Sequence, residues 1–268
     1  MPGAPDPVYV EARRALLDAL EALQGQRQAI VLAGAQAVYL YTGDAEFSVA
    51  EFTRDADLVV EPARLATDPA LEAAMTSAGF RLHESEPGIW LSPDGFPVDL
   101  IVPESLAGAG RRAARLPGHG KRAARRALGV EAALVDREVH EIDALDPRDP
   151  RRFEIDAAGP AALLVAKVHK IADRSGEGTR LKDKDALDVF RLLTAVETMR
   201  FEDGIRRLRE SPVADSVTRN ALALFTAQFG APGGVGIAML LRALPLDDPA
   251  VIQARCRELA RDVLAAVE

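Results

Sequence analysis

The chain contains a single cysteine, Cys256, so no internal disulfide can form. Its four histidines, His83, His119, His140 and His169, are scattered, and none has a partner at ligand spacing. A structural zinc site of the His/Cys type is therefore excluded. Aromatic residues make up only 5% of the chain, too few for a surface built to stack bases. Trp90 and Phe96, which flank a turn, are read as core. No apolar run approaches the ~20 residues that cross a bilayer, so no membrane partner is expected. The opening stretch, MPGAPDPVYV, lacks the basic start and apolar segment of an export leader, and a cytoplasmic location is expected. There is no internal repeat, and no low-complexity tract beyond an Ala/Arg bias.

What is present is ordinary in amount and uneven in placement. The 268 residues are 48% hydrophobic and 28% charged, which suits one large folded domain or two small ones. Acids number 41 against 33 lysines and arginines, a formal charge of -8. Such a chain is no bulk polyanion binder. From Arg111 to Arg126, however, it reads RRAARLPGHGKRAARR, with seven basic residues and no acid. This is either a solvated helix or loop, or a local track for a phosphate-rich partner on an acidic body.

Patterning indicates an α+β protein. Residues 8–24 carry Leu16, Leu20 and Leu23 at helical spacing. The apolar run 29–33 reads as a buried strand, Gly34 breaks it, and AQAVYLY continues as a helix. Strand, glycine turn and helix together outline a phosphate-binding layout. A second strand is expected over 52–60, a helix over 62–79 broken by its own Asp68-Pro69 step, and short strands over 80–84, 88–92 and 96–102. The last two are joined by the Pro93-Asp94-Gly95 turn as a hairpin. VEAALVD and EVHEIDAL suggest two more strands, and FEIDA a last one. The turn-rich DPRDPRR at 146–152 is the expected boundary, giving parts 1–150 and 151–268. Helices are expected near 160–174, 183–198, 202–210, 213–228 and 248–267. The expected architecture is a mixed sheet with flanking helices, a mainly helical second part, and a cleft between them.

The most informative residues are acids inside apolar strands. Asp55 and Asp57 stand two apart in TRDADLVV, so on a strand they share a face. Burying two carboxylates together is costly unless a cation lies between them. Asp99 repeats the pattern in FPVDLIV. If the strands are neighbours, three carboxylates converge and form a site for hard cations, with Mg2+ the default. Two such ions can clamp the attacking and leaving oxygens of a phosphoryl-type transfer. The plainer alternative is that each acid caps a strand end or pairs with an arginine such as Arg54.

Gly34-Ala35, Thr53-Arg54-Asp55-Ala56-Asp57-Leu58 and Asp99, in this order, resemble the signature of the nucleotidyltransferase superfamily, the polymerase-beta-like fold. That signature is a Gly-Gly or Gly-Ser turn, a D-x-D strand and a third acid on a later strand. The resemblance implies a nucleotidyltransferase-type sheet, with Asp55 and Asp57 holding the metals. It implies that Asp99 helps bind metal and activates the acceptor hydroxyl. Gly34, Ala35 and Thr53 would border the nucleotide. Alanine at 35 departs from the serine or glycine of many members and supplies no hydroxyl to a phosphate.

A second constellation lies at 163–193. Leu164, Val168 and Ile171 form a core stripe, with Lys167, Lys170 and Arg174 along its flank. An SGEG loop follows, then a helix in which Lys184 and Asp188 share a face. On periodicity alone these could be two solvent-edged helices with surface ion pairs. A lysine-bearing helix, a basic loop and a KDxxD helix also resemble the second half of the AbiEii-type toxin nucleotidyltransferases. That resemblance implies that Lys167 neutralises phosphate charge. It places Lys184, Asp185 and Asp188 in the same wall, with Arg174, Arg180 and Lys182 as further phosphate contacts. The implied substrates are an NTP and a hydroxyl acceptor, RNA or a tRNA 3′ end. The implied context is a toxin with a cognate antitoxin. The rivals are a small-molecule nucleotidyltransferase of the aminoglycoside type, a non-catalytic nucleotide-binding module, and an interaction protein docking through its basic segment.

Overall fold

The computed structural model describes residues 5–43, 52–174 and 183–268. The first helix, α1 (Pro7–Ala22), begins where the Asp6 carboxylate accepts from the Val8 N–H at 2.8 Å and Pro7 takes the first position. Its Leu16, Leu17 and Leu20 are buried. Strand β1 (Ile30–Ala33) follows and is buried throughout. It runs directly into α2 (Gly34–Thr42). Then come β2 (Ala56–Val60), α3 (Leu71–Ser77), β3 (Arg81–Leu82), β4 (Ile89–Leu91), β5 (Pro97–Pro103), β6 (Arg125–Ala127), β7 (Arg137–Asp143) and β8 (Arg152–Ala158). The remaining elements are helices: α4 (Pro160–Arg174), α5 (Lys184–Ala195), α6 (Thr198–Glu210), α7 (Asp215–Phe225), α8 (Val235–Ala243) and α9 (Pro249–Val267).

The strands make one eight-stranded mixed sheet in the order β3-β4-β5-β2-β1-β8-β7, with β6 beside β5. β1 is antiparallel to β2, and β2 is parallel to β5. β1 and β2 are buried along their whole length, β1 as an unbroken apolar run and β2 with Asp57 as its one polar residue. α1 packs against β2 and β5, and α2 against β1 and β2. α4 joins sheet and helices: it touches α2 on one side and α5, α6 and α7 on the other. This is the α+β architecture that the patterning indicates. Among the described residues no single helix is long and apolar enough to cross a membrane.

Local differences have physical causes. β2 begins at Ala56, not 52, because the Thr53 hydroxyl turns back onto Asp55. The helix expected over 62–79 breaks at its Asp68-Pro69 step as expected, but its first part is only a 3-10 turn (Pro62–Arg64) and its second the short α3. VEAALVD is no strand. Buried Glu131 accepts from the Gly129 and Ser105 N–H groups and closes a 3-10 turn at Val130–Leu134. The boundary expected at 150 falls inside the β7–β8 hairpin. β8 pairs with β1 as well as with β7, so the sheet ends at Ala158 and the helical part opens at Pro160. β6 and α8 were not expected: one is three residues long, and the other is a nine-residue apolar helix after a Gly-Gly step.

Candidate active site

The parallel pairing of β2 with β5 puts Asp57 directly beside Asp99. Register partners share a face, so both carboxylates project from the same side of the sheet. Asp55, two residues before Asp57, leads into the strand from the same end. The three acids sense each other. Burial, opposed by Arg125 and reinforced by the charges of Asp57 and Asp55, raises the Asp99 carboxyl to about 6.

Asp57 is 7% exposed, yet no hydrogen bond reaches its carboxylate from the described residues. Among the described residues Arg125 is the cation paired with it, with Nη2 at 3.8 Å from Oδ1. Gly34 makes this position possible. Ala33, the register partner of Asp57 on β1, is followed by a backbone at φ +69°, and a Cβ on Gly34 would lie 2.0 Å from Asp57 Oδ2. Only glycine combines that left-handed conformation with that close approach. The N-terminus of α2 thus begins against the Asp57 carboxylate. Ala35 is buried one residue further on.

Asp55 is held differently. The Thr53 hydroxyl donates to its Oδ1 at 2.5 Å, and Lys184 Nζ lies 3.3 Å from the same atom. Thr53 is fully buried. Behind the strand, the Gln36 side-chain amide donates to the Asp55 carbonyl at 3.2 Å and to Ala12 O at 3.3 Å. Its own oxygen accepts from Arg13 Nε at 2.8 Å. Gln36 and Arg13 therefore tie α1 and α2 to the strand end that carries the acids. The sequence hinted at Gln36 only as one polar residue in an apolar helix. Arg125 lay hidden in the basic tract.

The KDxxD helix divides its charges between two jobs. Lys184 turns to Asp55, while Asp185 and Asp188 turn inward to Lys167. Lys167 Nζ is 3.1 Å from Asp185 Oδ1 and 2.5 Å from Asp188 Oδ2, and its side chain is 3% exposed. Burial alone would lower its pKa, but the two carboxylates hold the ammonium charged, above the usual lysine range. Burial would raise Asp185, but Lys167, Lys170 and Arg174 hold it well below the usual carboxylate range. Arg174 Nη1 lies 2.8 Å from Asp185 Oδ2. Lys167, Asp185 and Asp188 thus satisfy one another between α4 and α5, and Lys184 alone of the four reaches the acid face. Arg180 and Lys182 lie outside the described residues.

The donor set, three carboxylates of which Asp57 and Asp99 share one register position, is of the kind that suits a hard divalent cation. As the side chains stand, no three acids, histidines or cysteines among the described residues are grouped to hold a metal ion. Arg125 sits on the same face. Its Nε and Nη2 lie 3.0 and 2.9 Å from Asp99 Oδ2.

No protein-family model matches the chain, and no curated protein matches it. Among solved structures it is similar to the solution structure of the antibiotic-resistance factor ANT(2'')-Ia. The identity is 13% and the TM-score 0.42, over 79% of this chain and 92% of that one. A likeness at this level decides nothing about the chemistry of this chain.

Proposed function

We propose that the chain is a nucleotidyltransferase, moving a nucleoside monophosphate from an NTP to a hydroxyl acceptor with release of pyrophosphate. The observation that carries this reading is the side-by-side register of Asp57 and Asp99 against the glycine-started N-terminus of α2. Asp55, Asp57 and Asp99 are the residues that would hold Mg2+, which when bound neutralises charge on the phosphoryl oxygens. Gly34 leaves the backbone room to approach a phosphate, and the first N–H groups of α2 point toward it. In the transfer, the acceptor oxygen bonds to the α-phosphorus as the bond to the bridging oxygen breaks. The acceptor proton passes to the Asp99 carboxylate. Lys184, 30% exposed, is placed to meet phosphate, whereas Lys167 serves as a buried strut that holds α5 in place.

The acceptor we favour is RNA, with a tRNA 3′ end as the working case. Arg111, Arg115 and Lys121 are exposed on the segment that leads into β6 and ends at Asp99 through Arg125. Exposed cations leading to the site suit an anionic acceptor and repel a cationic one. A toxin role, with an antitoxin partner, rests on the AbiEii-type resemblance alone. Growth arrest on expression, relieved by Asp57→Asn, is its test. The activity itself is tested by incubating the protein with each α-labelled NTP, Mg2+ and either total tRNA or a panel of aminoglycosides. Label on tRNA is the expected result. Label on an aminoglycoside would replace the acceptor, and no label anywhere would overturn the activity.

A further inference from the structure

The three acids are not left uncompensated by the chain. Two of its own cations lie on them, Arg125 on Asp99 and Lys184 on Asp55. The Arg125 contact is one-sided. Both of its donor nitrogens converge on the single oxygen Asp99 Oδ2, instead of bridging both carboxylate oxygens as a fork. Its other reach, to Asp57 Oδ1, is 3.8 Å, close enough to balance charge but too long for a hydrogen bond. The side chain is 28% exposed, against 3% for Lys167 in the buried strut. Its backbone is placed tightly all the same. β6 pairs with β5 at Ile101↔Arg125, on the same face as Asp99 two residues back. Gly88, at φ +74°, lets β4 give way to β6 beside β5, and a Cβ there would lie 2.3 Å from Arg125 N. The fold therefore delivers one arginine of the basic segment to the acid face and leaves its guanidinium room to leave.

We propose that Arg125 is the exchangeable counter-ion of the carboxylate site, occupying the acid face in competition with a divalent cation. This rests on the reading that Asp55, Asp57 and Asp99 bind that cation. A guanidinium at hydrogen-bond distance from Asp99 and a divalent ion shared by Asp57 and Asp99 repel each other, so only one is seated at a time. Removing the guanidinium removes the competitor while leaving all three donors in place.

The test is Mn2+ binding, followed by the electron paramagnetic resonance of the free ion, in the full-length protein without nucleotide. Arg125→Gln is expected to bind Mn2+ at least tenfold more tightly than the unaltered protein. Arg125→Lys, which keeps the charge, is expected to fall between them. Arg148→Gln, which makes the same change of net charge at an exposed position, is expected to change nothing. Should Arg125→Gln fail to fold, the same competition is read in the unaltered protein from 15N-arginine spectra. Mg2+ is then expected to shift the Nε–H resonance assigned to Arg125 by its loss in Arg125→Lys. Equal or weaker Mn2+ binding by Arg125→Gln, or an Arg125 resonance indifferent to Mg2+, overturns the counter-ion role and leaves the acid site standing. No Mn2+ binding by any form, or binding that survives Asp57→Asn, overturns the acid site and the counter-ion role together.

Discussion

Asp57 and Asp99 stand side by side, yet their surroundings treat them differently. Asp99 has a guanidinium on one oxygen and a raised carboxyl, while Asp57 is buried and receives no hydrogen bond from the described residues. The raised value for Asp99 has a consequence for stability. Its folded-state pKa, about 6, lies above the unfolded one, so the folded form binds more protons between about pH 4 and 6. Stability from this group is present at low pH and is lost as pH rises through 6. Asp99→Asn removes that slope. Relative to the unaltered protein, its urea-unfolding free energy should gain up to about 3 kcal/mol between pH 4 and pH 8. A difference that stays constant across this range would contradict the assigned environment of Asp99. All three acids were legible in the sequence because a carboxylate inside an apolar strand stands out by contrast. Arg125 was not, because an arginine among seven basic residues carries no such contrast, and only the β5–β6 pairing singles it out.

Among the elements, α4 and α5 carry the clearest structural assignment. Their two acids and Lys167 form a buried set that Arg174 and Lys170 border at Asp185, and removing Lys167 leaves Asp188 without this partner. Lys167→Met should destabilise the protein by about 3–5 kcal/mol in urea unfolding, because Asp188 loses its partner. Lys167→Met with Asp188→Leu should recover most of that loss, since Asp185 keeps Arg174 at 2.8 Å. A double variant as unstable as the single one would show that Lys167 matters for another reason. The helical periodicity of α4 and α5 was readable, but the inward turn of Asp185 and Asp188 was not. Charged residues on a helix read as its wet face until a second helix is known to cover them. The segment at 130–136 shows the converse error. Its apolar residues suggested a strand, but Glu131 uses its carboxylate on local N–H groups and winds the chain into a turn.

At the scale of the whole molecule, an acidic body with formal charge -8 carries one cationic stretch that ends at the proposed reaction centre. If RNA is the acceptor, its affinity depends on salt through the phosphates that this stretch neutralises. Replacing Arg111, Arg115 and Lys121 together with alanine should lower the slope of log K against log salt by about 2–3 for tRNA. An unchanged slope would place the RNA elsewhere on the surface. The overall α+β order was legible because short apolar runs bounded by turn residues mark the strands, and helical spacing fills the chain after Pro160. The extent of the sheet was not, because β8 returns to pair with β1 across nearly the whole first part of the chain. The most direct measurement is label transfer from an α-labelled NTP to tRNA by the unaltered protein and by Asp57→Asn, with both shown to be folded. The account predicts transfer by the first and at least a hundredfold loss in the second, with stability unchanged or higher because a buried charge is gone. Undiminished transfer by Asp57→Asn would contradict it.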